Sequence, residues 1–344
     1  MRTVLRFAGI ALVATLMMGM TLLGPPSVHA QTGDFNFIAY GDTRGNHPAS
    51  VSDLHDDIVN AFMLKEPEFV LHTGDMVNHG GEAYQWPFFN DSIAAIWEAG
   101  VPFYGVVGNH EHYTDDWGVN DEDFSTYLDY IDHSDVVNEA GETELHYSFD
   151  YESIHFIVVD TEDEFIDDTF NSSEAQMDWL LADLENTEPE EFIVAAFHRP
   201  AFSIRSDRWA QGETIRDEFH PIFSQYGVDL VFMGHDHFYY RANRDGISYV
   251  TTGGGGAPLY NPDMNTPTWQ SGDVTFREYH YCNVEVNTTH VTTTVTTLNG
   301  TVLDSFSIER EDVPAAPPLG WTIFAVEGGI ILILLVFLAF GKRN

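Results

Sequence analysis

A single cysteine, Cys282, stands among 344 residues. No disulfide can form within the chain and no thiolate cluster can be built, so the fold must be held by its apolar core or by metal bound through oxygen and nitrogen. Lysine is nearly as rare: Lys65 and Lys342 are the whole complement, and 14 Lys and Arg face 54 Asp and Glu. The formal charge of −40 argues against binding to nucleic acid and keeps the chain soluble. Such a surface also suits a salty medium, where screening relieves repulsion between carboxylates. Internal repeats are missing, as is any long low-complexity linker ahead of Pro314. Apolar residues, by contrast, make up 44% of the chain, with 14% aromatic, enough for a sizeable core.

Both ends carry apolar segments. Arg2 and Arg6 flank the start of a run from Phe7 to Leu23, Pro25-Pro26 breaks it, and Val28-His29-Ala30 offers the small residues a signal peptidase reads. Trp321 to Phe340 is long enough, as a helix rising about 1.5 Å per residue, to cross a bilayer core of about 30 Å. Lys342-Arg343 then place the C-terminus inside and the body outside. The expected organisation is a signal peptide over 1–30, one domain over 34–311, a Pro-rich linker over 312–320, a transmembrane anchor over 321–340 and a cytoplasmic tail over 341–344. The membrane is an expected partner through the C-terminal helix.

Between these segments, apolar runs alternate with helical periodicity. Strands are expected at 35–40, 69–71 and 103–107, a hairpin at 146–151 and 154–159, and further strands at 192–196 and 228–233. Helical spacing covers Val51 to Leu64, and Ser173 to Gln176 has the spacing of a capping box for a helix over 177–184. The helix-poor stretch after Tyr249 predicts strands at 280–286, 290–298 and 302–308, with Asn299-Gly300 as a hairpin turn. This pattern suggests one parallel-type sheet completed by a second, largely antiparallel one.

Polar residues recur where the apolar runs stop. Gly41-Asp42-Thr43-Arg44 follows the first strand, Gly74-Asp75-Met76-Val77-Asn78 the second, and Gly108-Asn109-His110-Glu111 the third; His198-Arg199-Pro200 and Gly234-His235-Asp236-His237 follow two later ones. In an open α/β sheet such strand ends converge on one crevice. Taken singly, each block reads as a turn former, a helix cap or a strand terminator. Taken together, Asp42, Asp75, Asn109, His198, His235 and His237 offer oxygen and imidazole donors suited to Zn, Mn, Fe or Co, too many for one tetrahedral centre. Two ions sharing a carboxylate would use them all. Most basic residues outside the terminal segments fall between Arg199 and Arg244, near these loops, as if to admit an anion. For Arg205, Arg208 and Arg216, pairing with the abundant carboxylates is the favoured reading. The stretch Gly253-Gly254-Gly255-Gly256 lacks the Lys and Ser of a P-loop and reads as close packing beside the site.

As an ordered set over residues 35 to about 256, these blocks resemble the calcineurin-like metallophosphoesterase family, and within it the purple acid phosphatase-like branch. The resemblance implies an α/β (α+β mixed) fold, a four-layer αββα sandwich with two mixed β-sheets, and a pair of divalent or trivalent transition-metal ions. It implies Asp42 and His237 on the first ion, Asp75 bridging, and Asn109, His198 and His235 on the second. His110 would approach the phosphate and leaving group, with Glu111 orienting it. Two positions depart from the pattern: the second histidine of D-x-H is Arg44, and the tyrosine three residues after the bridging aspartate is Asn78. Asn78 or water then becomes a substitute donor, and Arg44 and Arg199 become candidates to bind a nonbridging phosphoryl oxygen.

The function that follows is an exported, membrane-anchored hydrolase of phosphoric mono- or diesters, in which metal-activated hydroxide attacks phosphorus in a small phosphate-ester substrate. The alternative is a non-catalytic metal- or phosphate-binding cell-surface ectodomain on the same fold, which the Arg44 departure permits. Tyr113 to Asn138 and Phe202 to Thr214 are the loops expected to shape access. The charge balance yields its own prediction: the melting temperature should climb as salt is raised from dilute buffer towards the molar range, and a melting temperature indifferent to low salt would contradict adaptation of this surface to high ionic strength.

Overall fold

The computed structural model describes residues 34–46, 51–113, 124–134, 136–137, 141–162, 172–187, 191–310, 321–326 and 329–334. The expected signal peptide, Pro-rich linker and tail lie outside the described residues, as do residues 114–123 of the 113–138 loop and residues 327–328 and 335–340 of the expected anchor. In chain order the elements are β1 (Phe35–Tyr40), α1 (His55–Met63), β2 (Phe69–His72), α2 (Trp86–Ser92), α3 (Ala94–Ala99), β3 (Phe103–Gly105) and α4 (Ser125–Leu128). They continue with β4 (Tyr147–Tyr151), β5 (Ile154–Val158), α5 (Glu174–Asn186), β6 (Phe192–Phe197), α6 (Trp209–Tyr226), β7 (Leu230–Met233), β8 (Tyr239–Arg244) and β9 (Ile247–Thr252). Last come β10 (Val274–Phe276), β11 (His280–Val286), β12 (His290–Thr297), β13 (Val302–Glu309), β14 (Trp321–Val326) and β15 (Gly329–Leu334).

One sheet runs β13-β12-β11-β1-β2-β3 and the other β10-β8-β9-β7-β6-β5-β4. Strands β1, β2 and β3 are mutually parallel, and so are β5, β6, β7 and β9. Both sheets are therefore mixed, with antiparallel strands added at their flanks. The expected division into one parallel and one antiparallel sheet fails because α5 and α6 serve as crossovers in the second sheet, and parallel pairing needs such helices.

Alternation along the strands builds four layers. Phe35, Phe37 and Ala39 of β1 enter a core shared with Phe156, Val194 and Phe232 of the second sheet. Ile38 and Tyr40 turn the other way, into a core with Ile58, Phe62 and Phe89 of the helices α1 and α2. A third core lies between the second sheet and α5 and α6, with Leu180, Phe219 and Phe223 against Ile193 and Val231. Phe37 ties the sheets together: its ring stacks on Phe69 at 4.8 Å and meets the edges of Phe156 at 5.3 Å and Phe232 at 6.2 Å. The α5 start follows the capping pattern, the Ser173 hydroxyl accepting from the Gln176 N–H at 3.2 Å.

Within the segment expected to span the membrane as a helix, the described residues are extended, with β14 and β15 paired antiparallel from Trp321↔Leu334 to Val326↔Gly329. Among the described residues no helix is long and apolar enough to cross a membrane. The physical reason is local: Thr322, Ile323, Val326, Ile330, Ile331 and Ile333 are β-branched, and Gly328-Gly329 in mid-segment costs a helix about 1 kcal/mol per glycine.

Away from the strand ends, His155 fixes the β4–β5 hairpin to α5. Its Nδ1 lies 2.7 Å from Asp150 Oδ1 and its Nε2 2.8 Å from Asp183 Oδ2, while the Ser148 hydroxyl donates to Asp183 Oδ1 at 2.7 Å. Both ring nitrogens are taken by acceptors, so the ring works as a cation. Burial opposes that charge, but the hydrogen bonds and charges of Asp150 and Asp183 outweigh it and raise the pKa from 6.5 to about 9. A pKa raised on folding stabilises the fold fully below the unfolded value, and the stabilisation disappears as pH rises through the folded one. The difference corresponds to at most about 3 kcal/mol. The pH dependence of unfolding free energy should therefore fall between pH 6.5 and about 9, and His155→Gln should lower stability near neutrality and flatten that fall; an unchanged slope in the variant would contradict the clamp.

Candidate metal centre

The loops after β1, β2, β3, β6 and β7 meet where the two sheets face each other. The Asp42 N–H donates to the Gly74 carbonyl at 2.9 Å, and the N–H groups of Thr43 and Arg44 to that of Asp75 at 2.9 and 3.0 Å. The Asp42 carboxylate reaches across to the second sheet and accepts the His235 N–H at 3.0 and 2.9 Å. Asp42, Asp75 and His235 all sit at positive φ, 60°, 59° and 67°. Such backbone costs of order 1–3 kcal/mol per residue and survives only when neighbours dictate it. The preceding glycines are part of that fit: a Cβ on Gly74 would lie 2.6 Å from His198 Nδ1, and one on Gly234 would lie 2.7 Å from Asp42 Oδ2. Gly253 and Gly255 pack as closely, against Asp42 and Gly41, so the glycine run is a packing surface for the site.

Six buried side chains form two donor groups joined at Asp75. Asp75, His198 and His235 make one and Asp42, Asp75 and His237 the other, with the donor atoms of each group within 4.8 Å of one another. Asn109 joins the first, its Oδ1 3.2 Å from His198 Nε2. Carbonyls fix the rings. His198 Nδ1 donates to the Thr73 carbonyl at 2.8 Å and His237 Nδ1 to that of Pro258 at 2.9 Å, so both aim Nε2 inward. His198 Nε2 lies 3.2 Å from Asp75 Oδ1 and 3.2 Å from His235 Nδ1, and His237 Nε2 lies 3.2 Å from Asp42 Oδ1.

Electrostatics test whether such a cluster fits cations. Burial opposes ionisation of Asp75, yet His198, His110 and Arg44 hold its pKa well below the ordinary range. Burial likewise opposes charge on His198, and the charge and hydrogen bond of Asp75, with Asp42 and Glu162, overcome it and raise its pKa to about 10. A proton is drawn onto His198 at the point where several donors converge, which marks a place for positive charge. His235 is kept neutral by burial, then by Arg208 and Arg199, and so keeps a lone pair to give. Carboxylate, amide and imidazole donors without thiolate suit the borderline ions anticipated from the sequence.

Several side chains differ from their expected roles. Glu111 does not touch the His110 ring. Its buried carboxylate accepts the N–H groups of Asp75 at 2.8 Å, Met76 at 2.7 Å and Gly108 at 2.8 Å, with Val77 at 3.5 Å. It therefore holds the Asp75 loop, and its two oxygens, already engaged by backbone N–H donors, are not turned to the imidazole. Burial, then the Asp75 charge, push its carboxyl up to about 8. His110 is positioned by Asn78 instead, Nδ1 donating to the Asn78 carbonyl at 2.7 Å, which leaves Nε2 3.9 Å from Asp75 Oδ2. Asn78 Nδ2 is engaged with His79 at 3.2 Å, which in turn meets Gln85 at 3.1 Å. Arg199 pairs with the buried Glu162 through Nε and Nη2 at 2.8–2.9 Å. Arg44 does stand at the centre, its Nε 3.4 Å from Asp75 Oδ2. Arg205 and Arg216 pair with Asp207 and Asp217, and Arg208 with Asp236.

Two contributors escaped the sequence reading. Arg208 donates to the His235 carbonyl at 2.6 Å. Tyr260 stacks on the His237 ring at 4.0 Å and 12°, and its hydroxyl accepts from Arg44 Nη2 at 3.3 Å. Pro258 and Pro262 around it mark a shaped loop, but no periodicity brings that loop to the site.

Residues 35–239 match the calcineurin-like phosphoesterase family. The chain is 29% identical over 256 residues to a phosphoenolpyruvate phosphatase of Allium cepa, covering 71% of this chain and 49% of that protein. It is 32% identical over 168 residues to purple acid phosphatase 23 of Arabidopsis thaliana, covering 45% of this chain and 34% of that one. The chain thus spans half or less of the length of these curated relatives. Among solved structures it is similar to purple acid phosphatase PPD1 from yellow lupin (Lupinus luteus) seeds, with a TM-score of 0.66 and 20% identity, over 82% of this chain and 55% of that one. GAP50, the anchor in the inner membrane complex of Plasmodium, gives a TM-score of 0.58 at 15% identity, over 82% of this chain and 90% of that one. Both structural likenesses concern the fold.

The Glu111 arrangement is directly testable. Glu111→Gln keeps the shape but turns an NH2 group onto backbone N–H donors, so it should destabilise the fold by about 2 kcal/mol and weaken metal binding, measured by thermal melting and calorimetry. Wild-type stability in the variant would contradict the loop-holding role.

Proposed function

The chain belongs to the calcineurin-like phosphoesterase family, and from that premise we propose that it hydrolyses small phosphate esters, mono- or diesters, at a two-metal centre. The single observation that supports this most is the convergence of Asp42, Asp75, Asn109, His198, His235 and His237 from five strand ends, with Asp75 common to both donor groups. Asp75, Asn109, His198 and His235 would hold one ion, and Asp42, Asp75 and His237 the other. When bound, such a pair supplies Lewis-acid polarisation of phosphoryl oxygens and an acidified water.

The chain's own residues account for the rest. Glu111 fixes the shared Asp75, and the Thr73 and Pro258 carbonyls fix the imidazoles. Burial, reinforced by Arg44, lowers the His110 pKa to about 3, although Asp75 pulls the other way. At neutral pH Nε2 of His110 therefore carries no proton, since Nδ1 holds the one shared with Asn78. An arriving phosphoryl anion adds the negative charge that favours uptake of a proton from solvent water at Nε2, and that proton can then pass to the departing ester oxygen. Arg44 meets the same anion as a fixed positive charge beside Asp75.

The sequence of residues 1–30 supports export, which would put the domain outside the cell. Chelation of the purified full chain should abolish hydrolysis of generic aryl phosphate mono- and diesters, and added Mn or Zn should restore it. Asp75→Asn and His235→Ala should each lower turnover by about a hundredfold or more while the fold persists. N-terminal sequencing of protein recovered from outside the producing cells should begin at Gln31. A folded wild type that binds metal without turnover would instead support the non-catalytic ectodomain, and a metal-free, fully active protein would contradict both readings.

A further inference from the structure

The two donor groups that share Asp75 are unequal. Asn109, His198 and His235 join Asp75 on one side, whereas Asp42 and His237 are its partners on the other. Beside Asp75 a cation is already in place. Arg44 Nε lies 3.4 Å from Asp75 Oδ2, buried and without a hydrogen-bond partner, and Nη2 of the same guanidinium donates to the Tyr260 hydroxyl at 3.3 Å. The Tyr260 ring stacks on His237, its N–H donates to the His237 carbonyl at 3.0 Å, and the Pro258 carbonyl takes the His237 Nδ1 proton. One short loop, Pro258-Leu259-Tyr260, therefore grips both the imidazole of the poorer group and the guanidinium that competes for its carboxylate.

The electrostatic consequence is direct. An ion entering between Asp42, Asp75 and His237 must share Asp75 with a guanidinium that cannot lose its proton, and in a buried site the repulsion between the two cations is weakly screened. On the other side Arg208 meets His235 at its backbone carbonyl rather than at its ring. Resting on the two-metal reading above, we propose that the ions load in order, the Asn109–His198–His235 group first, and that Arg44, held by Tyr260, sets the weaker affinity of the His237 group. The protein is then half-loaded at low metal concentration and completes its centre only as the metal concentration rises.

Calorimetric titration of Mn into the chelator-stripped full chain tests this without reference to turnover. The expected isotherm has two steps whose affinities differ by about tenfold or more. Arg44→His removes the fixed cation and supplies an imidazole, so it should tighten the weaker step by about tenfold or more and leave the tighter one unchanged. Arg44→Ala, which removes the charge alone, should tighten it less. Tyr260→Phe deletes only the hydroxyl and should shift the weaker step severalfold in the wild-type background but not beside Arg44→Ala. Equal affinities in the wild type, or a weaker step indifferent to both Arg44 variants, would overturn the ordering. A Tyr260→Phe effect that persists beside Arg44→Ala would overturn the part assigned to Tyr260. A correctly folded chain that binds no metal would overturn the two-metal reading itself, a result distinct from two ions held equally.

Discussion

The hydrogen bonds from the His235 N–H to the Asp42 carboxylate, made across the two sheets, are the contact on which the site depends. Asp42 follows β1 of one sheet and His235 follows β7 of the other, so neither donor group exists unless the sheets are packed in register. The aromatic core around Phe37, Phe69, Phe156 and Phe232 supplies that register. In return, the contact holds two residues in left-handed backbone that neither would adopt alone. Core packing, strand-end geometry and ligand placement are in this sense one constraint.

Charge is managed locally within a strongly acidic chain. The site gathers carboxylates with buried imidazoles, and the arginines near it are distributed by task. Arg199 answers Glu162, Arg208 holds the His235 carbonyl and Asp236, and Arg44 faces the shared Asp75. Glu111 contributes differently, as an acceptor for the loop N–H groups that shape the Asp75 turn. His155, between two carboxylates far along the chain, uses the same exchange of charge and burial for stability rather than chemistry.

Much of this was legible in the sequence because it rests on local patterns. Strands with period-two alternation, the Ser173 cap and the polar blocks at strand ends are written in consecutive residues, and their shared position at strand ends brought the six donors together. The roles of Glu111, Asn78 and Arg199 were not legible, because each depends on which backbone group or carboxylate happens to face it after folding. Tyr260 is the clearest case: its loop reaches His237 through backbone hydrogen bonds that no periodicity encodes. The segment from Trp321 illustrates the opposite limit, since its hydropathy suits a helix while its β-branched residues suit the extended pair observed.

The central claim is that one carboxylate, Asp75, joins two cation sites across the sheet interface. The most direct measurement is anomalous diffraction from crystals of the protein grown with manganese. The account predicts two peaks about 3.5–4 Å apart, flanking Asp75, one among Asn109, His198 and His235 and the other between Asp42 and His237. A well-ordered site with no peak at Asp75, or with metal bound only elsewhere on the acidic surface, would contradict it.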